Sequence, residues 1–174
     1  NIIASFGKFA ALARDAIIFN GDDEKTLIAV SQAGEKKHIT FGLSPENDWY
    51  AENISFNRGA FPCFDLMHKG ENLGRVNLSV PGEHNVLNAL AALSVASYAG
   101  VQMNMAIEAL SSFGGAGRRF EILGEYNGIT IADDYAHHPA ELKVTLEAAA
   151  KMDYKNVWAV FQPFTFSRTY MLLD

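Results

Sequence analysis

Two carboxylates, a phenol and two imidazoles stand together in Asp133-Asp134-Tyr135-Ala136-His137-His138. Side chains of these types can bind a polar or anionic ligand, move protons, or hold a metal. A single aspartate at a strand end commonly caps the next helix, but this density exceeds what capping requires. Substrate or nucleotide binding, capping, and a metal site all stand as readings. Against the metal, His137 and His138 are adjacent and point apart, and no second ligand pair at metal spacing follows. No metal ligand is therefore assigned in the chain. Glu141 falls in the first turn of a helix-like run, where it complements the helix dipole.

Three further groups could carry chemistry. In Gln162-Pro163-Phe164-Thr165-Phe166-Ser167-Arg168-Thr169, Arg168 could hold a substrate carboxylate or lie on the surface. His84, Asn85 and Asn88 enter a helix whose first N–H groups lack intrahelical partners. Asn85 and Asn88, three apart, share a face and could read an adenine edge or a ribose; one of them could equally just cap the helix. Arg118-Arg119 follows Gly114-Gly115-Ala116-Gly117 and could swing onto a phosphate, or form a solvated surface pair. Asp22-Asp23 reads as a loop pair.

The elements that must position these groups are legible in the periodicity. Ile129-Thr130-Ile131-Ala132, after the Asn127-Gly128 turn signal, reads as a strand. Pro139 suits a first helical turn, and Leu142, Thr145, Leu146, Ala149 and Met152 recur at helical spacing. Val157 to Phe161 is a continuous apolar run, expected as a strand buried on both faces. Residues 129–161 would thus form a parallel βαβ unit. Ligands of such units sit outside the carboxyl ends of the strands, so Asp134 and Arg168 should open on one crevice. Upstream, residues 1–15 read as a helix, 16–19 as a strand, and 26–30 as a helix. Residues 37–80 read as a small antiparallel sheet of hairpins. Asn85 to Ala99, stopped by Gly100, and Met105 to Phe113 read as helices. The glycines 114–117 mark the expected domain boundary.

The 174 residues are 49% apolar and 20% charged, the profile of a globular chain with a real core. A net charge of −6 argues against non-specific nucleic-acid binding. Cys63 is the single cysteine and can form no internal disulfide, which points to a cytoplasmic setting. No apolar run approaches the roughly 20 residues of a membrane span, and no nucleic-acid or membrane partner is expected. Oligomeric state is not readable. The chain begins at Asn1 and stops inside a helix-like run, and reads as a piece of something longer.

In combination, four motifs resemble the Mur ligases. They are Pro81-Gly82-Glu83-His84-Asn85 with Asn88-Ala89, Gly115-Ala116-Gly117-Arg118-Arg119-Phe120-Glu121, Asp133 to Pro139, and Phe161-Gln162-Pro163 with Ser167-Arg168-Thr169. The resemblance spans essentially the whole chain. It implies an α/β fold: residues 1–114 as the second half of a central ATP-binding domain, and 115–174 as the start of a Rossmann-like C-terminal, amino-acid-binding domain. It implies that His84, Asn85, Asn88, Arg119 and Asp134 contact ATP, with Arg119 also catalytic. Tyr135, His137 and Arg168 would surround the incoming amino acid. The Asp-Asp-Tyr-Ala-His-His-Pro string favours members that join L-alanine to UDP-N-acetylmuramate in peptidoglycan synthesis, through an acyl phosphate. Murein-peptide recycling members are the nearest alternative, and a stand-alone nucleotide- or metabolite-binding module is another. Two departures stand out. Phe164 stands after Gln-Pro where the family usually has His or another polar group, with an aromatic also at Phe166, and the Gly-rich loop ending in Lys-Ser/Thr is absent: nothing of that form follows Gly114 to Gly117. The family's Mg²⁺ ligands are likewise expected upstream of the chain. It should therefore hold about half an ATP site and be inactive alone.

Overall fold

A computed structural model describes residues 2–163 and 166–171, with the backbone alone at Phe166, Arg168 and Thr169. The chain opens with helix α1 (Ile2–Ala11), strand β1 (Ala16–Asn20) and helix α2 (Glu24–Ser31). Asp23 caps α2 by accepting the Thr26 N–H at 2.6 Å, which settles residues 26–30 as helix. Then come β2 (Lys37–Gly42), β3 (Trp49–Asn57), β4 (Phe61–His68) and β5 (Glu71–Asn77). The five strands form one sheet in chain order.

That sheet is mixed, which corrects the expectation of hairpins alone. β3, β4 and β5 pair antiparallel as expected, but β2 pairs parallel with both β1 and β3. The cause lies in the connections. α2 is a crossover that brings β2 back alongside β1 in the same direction, matched residue for residue from Ala16↔Lys37 to Asn20↔Phe41. Residues 43–48 are too few for a crossover helix, so β2 and β3 meet only at Phe41↔Trp49 and Gly42↔Tyr50. Asp48 ties that join, accepting from the Thr40 N–H at 3.0 Å while its own N–H donates to Thr40 Oγ1 at 2.9 Å.

Helices α3 (His84–Tyr98) and α4 (Met103–Ser112) cover one face of the sheet. Phe64 and Leu66 of β4 and Val76 of β5 are fully buried against Val86 and Leu90 of α3, with Trp49 and Leu93 beside them. Alternate residues of β4 point the other way, as a strand demands. Gly100, at φ +81°, ends α3 in the conformation a C-cap glycine supplies.

Gly114 to Gly117 lie between α4 and the next strand. β6 (Glu121–Tyr126), which the sequence reading missed, pairs antiparallel with β7 (Ile129–Asp133) across an Asn127-Gly128 turn at φ 50° and 76°. Helix α5 (Pro139–Lys151) follows, and α6 (Phe166–Met171) ends the described chain. The expected second parallel strand is not formed. Residues 157–161 carry no strand, Trp158 and Val160 are 89% and 98% exposed, and β7 is paired only with antiparallel β6. An apolar strand needs a neighbour for its backbone and cover for both faces. Every residue of β6 is itself exposed, so the two-stranded ribbon offers no such cover. The α/β class holds; the parallel βαβ unit does not. No helix among the described residues is long and apolar enough to cross a membrane.

Candidate functional site

Pro81 and Gly82 lead into α3. Gly82 has φ +101°, and a Cβ there would press on the His84 ring at 2.5 Å, so only glycine lets the imidazole fold back on the turn. The first helical residues carry no side-chain cap: Glu83 occupies the cap position, and its carbonyl accepts the Val86 N–H at 2.9 Å, but its side chain makes no bond to the helix. The asparagines do not cap it either. Asn85 Nδ2 donates to the Pro81 carbonyl at 2.7 Å, and Asn88 Nδ2 donates to Asn85 Oδ1 at 2.9 Å. Asn85 is thereby locked between loop and helix and holds Asn88, which is exposed. That is a preorganised amide pair at a helix N-terminus, where polar ligands and anions are favoured.

The second half of the site hangs from the end of β7. Asp134 accepts from the Phe120 N–H at 2.9 Å, the Ala136 N–H at 2.7 Å and Thr145 Oγ1 at 3.3 Å. It thus fastens the segment after the glycines, the loop after β7 and the body of α5 to one carboxylate. Its charge also reaches His84. That imidazole keeps solvent access, yet the atoms crowded against it push its pKa below the ordinary value, against the pull of Asp134. His84 and Asp134 are 50 positions apart in sequence, and His84 lines one cavity with Val144 and Ala148 of α5, the helix whose Thr145 bonds Asp134.

The arginine pair splits. Arg118, at φ +57°, donates from Nε to Asp133 Oδ2 at 3.1 Å, lies 4.9 Å from the centre of the Tyr135 ring, and accepts the Tyr135 N–H on its carbonyl at 2.8 Å. It is a strut. Arg119 is exposed and makes no ion pair or side-chain hydrogen bond among the described residues; its charge is felt by Glu141. Of the two, Arg119 is the one free to meet an incoming anion. The sequence singled out the pair but gave no role to Arg118; the aspartate and tyrosine that hold it come from strand pairing, which no local pattern shows.

Tyr135 and His137 meet edge to face at 5.2 Å, and His137 Nδ1 lies 3.0 Å from the Tyr135 carbonyl. His138 turns out to be the cap of α5: its Nδ1 accepts from the Ala140 N–H at 3.2 Å. Glu141 completes the box, its Oε2 accepting the His137 and His138 N–H groups at 3.1 and 3.2 Å. Those two backbone donors hold the Glu141 carboxyl below the ordinary carboxylate range. Glu141→Ala should lower stability by about 1 kcal/mol at neutral pH. Because the folded-state value is the lower one, that contribution is full above the unfolded value and fades as pH falls through the folded value. Thermal melts of both proteins at pH 7 and pH 3 would show a gap that closes in acid; an equal gap at both would refute the assignment.

No group of three or more metal-binding side chains converges among the described residues. Phe164 lies outside the described residues, and so does the Arg168 side chain, so the shared crevice expected for Asp134 and Arg168 is not tested.

Comparison with known proteins adds to this geometry. Residues 1–96 match the Mur ligase middle domain, and residues 118–171 match the Mur ligase, glutamate ligase domain. UDP-N-acetylmuramate–L-alanine ligase of Clostridium novyi is 46% identical over 98% of the chain, which covers 37% of that relative. The ligase of the same name from Caldanaerobacter subterraneus is 41% identical over 100% of the chain and 38% of the relative. The chain thus spans well under half the length of these relatives. Among solved structures, UDP-N-acetylmuramate-alanine ligase of Thermotoga maritima superimposes with a TM-score of 0.70 at 32% identity, covering 86% of the chain and 33% of that structure. A murein peptide ligase from Psychrobacter arcticus gives 0.70 at 29% identity, covering 94% and 35%.

Proposed function

The chain belongs to the Mur ligase family, and from that premise we propose that it is part of an ATP-dependent ligase that joins L-alanine to UDP-N-acetylmuramate. The observation that carries this reading is similarity to L-alanine-adding relatives along the whole chain, rather than over one motif. In this reading residues 1–114 are the second half of the ATP-binding domain and 115–174 the start of the amino-acid-binding domain, joined at the glycines. The enzyme works in the cytoplasm on small molecules for peptidoglycan synthesis.

A carboxylate is unreactive toward an amine at neutral pH until it is activated. Transfer of the ATP γ-phosphoryl to the UDP-N-acetylmuramate carboxylate gives an acyl phosphate and ADP. The L-alanine amine then attacks the acyl carbon, phosphate leaves, and the amine loses a proton. Phosphoryl transfer is largely positioning and charge neutralisation. Asn85 and Asn88, already bonded to each other, suit the adenosine, with His84 beside them. Arg119, exposed and without a side-chain partner among the described residues, suits the charge that develops on the transferring phosphoryl oxygens. Asp134 closes the nucleotide site from the second half. Tyr135, His137 and Arg168 are assigned to the alanine. Mg²⁺ supplies further charge neutralisation to such a reaction; the described residues offer no ligand cluster for it, and its holders belong upstream.

Since the phosphate-gripping loop is not in these residues, the 174-residue chain should bind Mg-ATP weakly or not at all and catalyse no ligation. Isothermal titration of the chain with Mg-ATP checks this; clear micromolar binding would favour a stand-alone nucleotide-binding module. The function itself is tested with the protein encoded by the complete reading frame. ADP release should require UDP-N-acetylmuramate and L-alanine together. Turnover with a murein peptide in place of L-alanine would move the assignment to the recycling ligases.

A further inference from the structure

Among the described residues, three turns use two consecutive residues at positive φ ending in glycine: Arg58-Gly59 at 47° and 78°, Lys69-Gly70 at 50° and 85°, and Asn127-Gly128 at 50° and 76°. Turn geometry alone explains glycine at each. At Gly70 and Gly128 an added Cβ would meet nothing within 4 Å. Gly59 is different. A Cβ there would run into the carbonyl oxygen of Lys151, the last residue of α5, and come within 2.9 Å of its carbonyl carbon. The β3–β4 turn thus carries the end of α5 directly on its backbone.

The surroundings fit a seat. Lys151 Nζ lies 3.7 Å from the Glu83 carboxylate, one residue before His84, and 5.3 Å from the centre of the Phe56 ring. Ala148 of α5 is 3% exposed and, with Phe56, Ala60 and His84, lines a cavity of only about 40 Å³. Larger side chains at either surface would hold the two apart. Thr145, earlier on the same helix, bonds Asp134. The placement of α5 therefore bears on where Asp134 stands relative to the α3 N-terminus.

We propose that Gly59 is a positioning residue: its bare Cα lets α5 settle on the β3–β4 turn, and this docking brings Asp134, bonded to α5 through Thr145, toward the start of α3, closing the nucleotide site across the two halves. The role in nucleotide binding rests on the function proposed above; the docking does not, and is measured without nucleotide.

The matched turns supply the test. Asparagine tolerates positive φ, so Gly59→Asn and Gly70→Asn impose similar strain on their turns, but only the first adds a Cβ against α5. Ala148→Leu attacks the same seat from the helix side and leaves the turn untouched. Spin labels at Glu71→Cys and Lys143→Cys, both exposed positions, in a Cys63→Ser background report the distance from sheet to α5 by pulsed electron resonance. Gly59→Asn and Ala148→Leu should each shift the distance distribution away from the parent, and Gly70→Asn should leave it in place. Should Gly59→Asn not fold, Ala148→Leu decides. An unshifted distribution in the seat variants, or equal shifts from both asparagines, overturns the docking. In the complete ligase Gly59→Asn should then raise KM for ATP several-fold against Gly70→Asn. An unchanged KM beside a shifted distance overturns the positioning role, whereas an ATP-independent parent enzyme would overturn the proposed function instead.

Discussion

Arg119→Ala in the complete ligase should lower kcat about 100-fold, equivalent to about 3 kcal/mol of transition-state stabilisation, with KM for ATP nearly unchanged. The expectation follows from where the structure leaves this side chain. Arg118 next to it is committed to Asp133 and Tyr135, while Arg119 has no side-chain partner among the described residues. A cation free in the resting site gains its partner when phosphoryl charge develops, so its loss falls on kcat rather than on ground-state binding. Arg118→Ala should show the converse pattern, losing stability by freeing the end of β7 before it loses chemistry. Steady-state kinetics with ATP varied separate the two. A rise in KM with kcat intact after Arg119→Ala would make that arginine a simple binding contact.

Asp134→Ala should destabilise the 174-residue chain by about 3 kcal/mol, because hydrogen bonds to an ionised acceptor are worth roughly 1.5–3 kcal/mol each and their loss strands partly buried donors. The donors are the Phe120 and Ala136 N–H groups and the Thr145 hydroxyl, drawn from three separate segments. Asp134→Asn keeps acceptor capacity on one atom only and should fall between the two. Urea unfolding of the three proteins measures this, and a loss of less than about 1 kcal/mol in the alanine variant would show that the junction is held by something else. The same residue thus has a structural duty that any nucleotide role must share.

The contrast between these two residues shows how far the sequence could be read. Helices α3 and α4 were visible because helical periodicity and the stop at Gly100 are local signals. The Asn127-Gly128 turn was visible for the same reason. β6 was not: Ile122-Leu123 breaks the alternation, and Gly124 sits where the register shifts against β7. The parallel pairing of β1 with β2 depends on what α2 does in space, which no window of residues encodes. Val157 to Phe161 shows the opposite failure. Its composition asks for burial on both faces, but the exposed β6–β7 ribbon provides no place for it. For the site, motif order pointed to the candidate groups, whereas how they are held came from contacts that no motif encodes. Arg118, tied to Asp133, and Gly59, with the end of α5 against it, are examples between distant residues, and His138 as helix cap is a local one.

The most direct test of the ligase assignment follows oxygen atoms. If the carboxylate of UDP-N-acetylmuramate is phosphorylated before the amine attacks, one carboxylate oxygen must leave with the phosphate. The complete protein, given ATP, L-alanine and UDP-N-acetylmuramate labelled with ¹⁸O in its lactyl carboxylate, should release ADP and phosphate carrying one ¹⁸O per amide formed, read by mass spectrometry. Phosphate free of label, or release of AMP and pyrophosphate, would contradict it.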